Sequence, residues 1–137
     1  MGSIFSSQPI KAHESVYALI RIFVGLLMLY HGLEIFDFKL VHEYANWEQF
    51  KSLPFSLSLV YIGKGLELIS GLFFVLGFLT RISALLMAFD MLFVCFYVGN
   101  GIFWYQDQHP FLFAIIALLY FALGSGKWSL DQMMAKK

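Results

Sequence analysis

A chain of 137 residues that is 60% hydrophobic and only 13% charged is too apolar for a water-soluble globule, where about half apolar and about a quarter charged are usual. Sixteen Phe add to the imbalance, and a soluble domain this small could not hide so much apolar surface, so a single integral membrane domain over residues 1–137 is expected. A formal net charge of zero gives no basis for nucleic-acid binding, and a single cysteine, Cys95, excludes an internal disulfide or a CxxC redox pair.

The N-terminal stretch MGSIFSSQPIKAHE is polar, and no cleavable signal peptide is evident, because the first apolar run is long enough to stay in a bilayer. Met1-Gly2 with Ser6 matches the myristoylation pattern. A pattern this short arises by chance, and no acylation is expected.

Four runs approach the ~20 apolar residues that a spanning helix needs. They are 16–36, 57–79, 81–99 and 109–124. Together they predict an all-α fold, a four-transmembrane-helix antiparallel bundle. Pro110 is acceptable in a first turn. Turn signals separate the runs: Pro54, Thr80-Arg81 and the loop GNGIFWYQDQHP. Between the first two, Leu40, Tyr44, Trp47 and Phe50 recur at nearly helical spacing among Glu43, Glu48 and Lys51. That pattern predicts a short amphipathic helix on the membrane surface. Lys11, Arg81, Lys127, Lys136 and Lys137 flank one side of the predicted bundle, against Lys39 and Lys51 on the other. Both termini are therefore expected in the cytoplasm.

Ionisable residues inside the spans need an explanation, since each costs at least ~2.5 kcal/mol on insertion scales. The quartets HGLE (31–34) and KGLE (64–67) each place a basic residue and a carboxylate on one helix face. At ~1.5 Å per residue, Lys64 lies about 10 Å and Glu67 about 15 Å from the outer end of the second span. His31 and Glu34 lie near the outer end of the first span. Asp90 is near the midplane of the third, Arg21 in the inner half of the first, and His109 at the outer mouth of the fourth. Gly63, Glu67, Ser70 and Gly77 form one small-residue stripe, and Arg21, Gly25 and Gly32 another, so both predict close helix contacts.

Arg21 and Lys64 would oppose Glu34, Glu67 and Asp90, with His31 making up the difference in a neutral buried network. One reading is that these charges only specify how the helices dock. The other is a polar cavity for a ligand, an ion or protons. H-x-x-E also sets two metal ligands on one face, but Lys64 replaces the histidine in the second quartet, so no metal is expected. His31 and His109 sit at one level, as axial haem ligands would, yet no attachment motif accompanies them and haem is not expected. Cys95 lies among Phe93, Val94, Phe96 and Tyr97 and is expected to be inert. No nucleophile elbow or phosphate loop is present.

The residues resemble the DoxX family of small four-helix membrane proteins. Arg21, Gly25 and Gly32 look like that family's first-helix segment. Glu67, Gly71, Gly77, Thr80 and Arg81 resemble its second-helix signature, and GSGKWSLD at 124–131 resembles its closing motif. Many members carry Lys just after the glycine ending helix one; here Glu34 stands there and Lys64 appears on helix two, so the two are expected to face each other. The resemblance implies a membrane subunit associated with redox complexes, in a bacterial inner membrane. It implies contact with a quinone, no covalently held cofactor, and a partner redox subunit or a second copy of the chain. Other members resemble assembly or chaperone-like factors, which leaves a non-catalytic role in ligand binding, transport or assembly as the alternative. The ligand-binding or proton-exchange candidates are Arg21, His31, Glu34, Lys64, Glu67, Asp90 and His109.

Overall fold

The computed structural model describes residues 12–136; the myristoylation pattern at 1–6 lies outside them. Helix α1 spans His13–Gly32 and continues as a 3-10 turn, Leu33–Phe36. Helices α2 (Phe38–Ala45) and α3 (Glu48–Lys51) follow, then α4 (Ser56–Leu76), α5 (Thr80–Phe93), α6 (Gln108–Leu123) and α7 (Leu130–Ala135). The predicted four-helix membrane bundle is therefore present: three helices are long and apolar enough to cross a membrane, and α6 is a shorter apolar helix.

Outward faces are apolar. Leu19, Phe23, Leu26 and Tyr30 on α1, Phe89 on α5 and Leu123 on α6 are exposed, which a bilayer accommodates and water does not. The inner faces form one core in which Val24, Met28 and Phe74 meet Ala84, Met87 and Met91 of α5, and Phe113, Ala117 and Tyr120 of α6.

Helices α1 and α4 lie backbone to backbone. A methyl group added at Gly32 would come within 2.3 Å of the Leu68 nitrogen, and one at Gly71 within 2.5 Å of the Leu29 nitrogen. Only small residues allow this approach. Gly71 thus makes the α1 contact from helix two, while Gly77 of the predicted stripe does something else. It ends α4 in the left-handed conformation, at φ 62°, and so the second span stops at Leu76 rather than continuing to 79.

The predicted interfacial helix exists as two pieces. Asp37 caps α2 by accepting from the Lys39 and Leu40 amides at 3.0 and 3.2 Å. Val41, Ala45 and Phe50 pack against Val60 at the start of α4, so α2 and α3 roof that end of the bundle. Beyond Phe93 the helix widens into a π-helix, Val94–Val98, a form that recurs at functional sites. The Val98 carbonyl accepts from Gln49 Nε2 on α3 at 2.7 Å.

Candidate functional site

Two separate polar constellations occupy opposite ends of the bundle. At the roofed end, the Gly32–Leu68 contact aligns the last turns of α1 with the first half of α4. Spacing of three puts Lys64 and Glu67 on one face of α4. Lys64 Nζ stands 2.9 Å from Glu67 Oε2 and 2.8 Å from Glu34 Oε2 across the helix pair. The facing of Glu34 and Lys64 expected from the sequence is thus present, with Lys64 bridging both carboxylates. Tyr44 on α2 donates to Glu34 Oε2 at 3.0 Å. Burial and the Glu34 carboxylate beside it push the Tyr44 hydroxyl above its ordinary value, so it remains a donor at neutral pH. His31 Nδ1 is 3.9 Å from Glu34 Oε1, and the His31 and His109 rings meet edge to face with centroids 5.9 Å apart.

These groups line a cavity of about 290 Å³. Asp90 enters its wall from α5, and Trp47, Phe50 and Phe93 supply aromatic surface. Asp90 is 3% exposed, and its Oδ2 has no hydrogen-bond partner. A buried polar group left unpaired costs ~1–3 kcal/mol, more when charged, and among the described residues Asp90 Oδ2 is the one fully buried side-chain atom of this group without a partner. Among the described residues, no group of three or more His, Cys, Asp or Glu side chains is placed to hold a metal ion.

Arg21 does not join this network. It lies at the other end, fully buried. Its Nε donates to the Phe74 carbonyl at 3.0 Å, and its Nη atoms donate to the carbonyls of Ser125, Lys127 (3.2 Å) and Trp128 (2.7 Å). The guanidinium fork suits this because it presents five donors in a plane. It gathers the C-terminal end of α4 and the tail after α6 around itself. Nearby, the Asp131 carboxylate accepts from the Leu79 and Thr80 amides at 2.8 and 2.9 Å, and Tyr17 donates to the Gly124 carbonyl at 2.8 Å. A methyl group at Gly77 would meet Ser129 Cβ at 2.4 Å, so the glycine also leaves room for the tail. The motif GSGKWSLD is therefore a strap that closes this end.

The neutral network expected from charge counting is corrected by this placement. With Arg21 elsewhere, one ammonium, that of Lys64, faces three carboxyl groups, Glu34, Glu67 and Asp90. Arg21 and Glu67 share a helical face pattern in sequence, but Arg21 satisfies itself on backbone carbonyls that no side-chain count includes. Sequence reasoning missed Tyr44, Trp47 and Phe50 as site residues, although all three were placed on the apolar face of the interfacial helix. That face packs onto the bundle, which puts the Tyr44 hydroxyl within reach of Glu34.

No curated protein and no solved structure matches the chain. The family model of DoxX matches residues 16–100, which takes in α1 to α5 and the Lys64 and Asp90 constellation and stops before the strap. That span is more than half of the chain, and the protein belongs to the DoxX family.

Proposed function

We propose that this membrane protein binds a quinone headgroup in the roofed cavity and serves as a redox-associated subunit. The observation that carries the reading is the Asp90 carboxyl, buried in the cavity wall with Oδ2 unpartnered. A polar group that the fold leaves unsatisfied, beside aromatic walls and a set of donors and acceptors, supports a ring ligand with hydrogen-bonding oxygens. A volume of about 290 Å³ fits a ring with its substituents, while an isoprenoid tail would run out into the bilayer. Glu67, Asp90, Glu34, Lys64, His31 and His109 are the groups that would hold or exchange protons at the ring oxygens. Arg21 is left out, since four backbone carbonyls already take its donors.

The single cysteine leaves the chain no dithiol of its own, and the reading assigns the electrons to a partner subunit. The membrane is taken as a bacterial inner membrane with both termini in the cytoplasm. Arg81, Lys127 and Lys136 at the strap end, against Lys39 and Lys51 at the roofed end, support that orientation.

The test is a ligand inventory of the purified protein. Lipid extracts are examined for quinones by mass spectrometry, and decylubiquinone is titrated while tryptophan fluorescence is followed. A co-purifying quinone and saturable quenching, both diminished in Glu67→Ala and the quenching weakened in Trp47→Phe, are expected. Absence of both from a protein that stays folded as Glu67→Gln would favour the non-catalytic reading, in which the cavity serves ligand binding, transport or assembly.

A further inference from the structure

The polar inventory of the cavity is lopsided. Lys64 has three N–H donors, and two of them are directed at Glu34 and Glu67. The Tyr44 hydroxyl hydrogen is directed at Glu34. Three of the four N–H and O–H donors of Lys64 and Tyr44 therefore already point at carboxylates of the same cluster, while the ring nitrogens of His31, Trp47 and His109 belong to other parts of the cavity wall. On the Asp90 side the acceptors are in excess. The Asp90 carboxyl receives no hydrogen bond among the described residues, and its Oδ2 is fully enclosed. Glu67 accepts from Lys64 through Oε2 alone.

Access to Asp90 is also built in. Gly63 lines the same cavity from α4, and a methyl group there would stand 3.7 Å from Asp90 Oδ1 with no closer neighbour. Glycine at this position leaves open the space directly in front of the carboxyl. A ring substituent can reach Oδ1 there without displacing a side chain.

An acceptor-rich wall treats the two redox forms of a quinone differently. The oxidised ring presents carbonyl oxygens, which only accept. The reduced ring presents hydroxyls, which donate. We infer that the cavity binds the reduced, dihydroxy form in preference to the dicarbonyl form, with Asp90 as the discriminating acceptor and Gly63 as the residue that keeps it reachable. This rests on the quinone reading above. The preference is that of an Asp90 carboxylate, which only accepts; a protonated carboxyl would donate to a ring carbonyl as well. A tenfold preference for the reduced form raises the midpoint potential of the bound two-electron couple by about 30 mV.

The test is an anaerobic redox titration of decylubiquinone in nanodiscs, with the full chain and with lipid alone, run beside the fluorescence titration that reports binding. The bound couple is expected to lie about 30 mV or more above the lipid value. Asp90→Asn, whose amide supplies a donor and removes an acceptor oxygen, should abolish most of that rise. Gly63→Val, which leaves every charge in place and obstructs the approach to Asp90, should reduce it too and serves as the decisive variant if Asp90→Asn does not fold. Saturable binding with no rise, or with a fall, overturns the inference and leaves the quinone reading intact. A rise that persists in both variants overturns the role of Asp90 and Gly63. No saturable binding of either form overturns the inference together with the reading beneath it.

Discussion

Arg21 and Asp90 are both buried charged residues inside a lipid-facing bundle, and the fold treats them in opposite ways. Arg21 is fully buried and directs its donors at four backbone carbonyls. Asp90 is 3% exposed, and Oδ2 has no partner. A satisfied buried charge organises the structure around it and leaves nothing over for a ligand. An unsatisfied one is a cost that the rest of the fold carries, and it lies on the wall of a cavity. Depth and charge alone would have classed the two together; their hydrogen-bond partners separate them.

The comparison breaks first at Arg21. Arg21→Ala strands the carbonyls of the strap and of Phe74 and should lower unfolding stability by about 4 kcal/mol, read by chemical denaturation in detergent. Arg21→Lys should recover only part, because an ammonium cannot fork to carbonyls on both sides. Next is Lys64. Lys64→Met leaves Glu34 and Glu67 without their shared partner and should cost about 3 kcal/mol, measured the same way. Exchanging the charges, as Glu34→Lys with Lys64→Glu, should not restore stability, since it sets carboxylates at positions 64 and 67 three residues apart on one helix. Removing the Asp131 cap comes third. Asp131→Ala frees the Leu79 and Thr80 amides and should cost about 1 kcal/mol, visible as a lower melting temperature. The smallest stability effect belongs to Asp90.

Much of the architecture was legible in the chain because hydrophobic length is a strong signal in membranes. All four spans were placed, and helical structure between the first two was read from the spacing of Leu40, Tyr44, Trp47 and Phe50, though as one surface helix rather than two pieces packed on the bundle. The end of α4 was not legible, since the apolar run continues through Phe78 and Leu79 while the left-handed turn at Gly77 ends the helix before them. The pairing of Glu34 with Lys64 was legible from the way the two residues depart from the resembled family's pattern, and the structure sets them 2.8 Å apart. The location of Arg21 was not, because its partners are main-chain carbonyls, three of the four more than a hundred residues away in sequence, at 125, 127 and 128. The role of the strap follows from the same contacts: its side chains looked like a motif, but its backbone makes the bonds.

The central claim is narrower than burial alone, since Thr80 Oγ1 is also buried and unpartnered but lies outside the cavity: the buried Arg21 is structural because the fold satisfies it, and the Asp90 carboxyl, unpaired on the cavity wall, is functional. Asp90→Asn tests it most directly, by measuring unfolding stability and decylubiquinone binding on the same preparation. Stability equal to or above that of the unsubstituted protein, with a changed affinity for the ring, is the predicted result. A loss of stability comparable to that of Arg21→Ala, with ring binding unchanged, would contradict it.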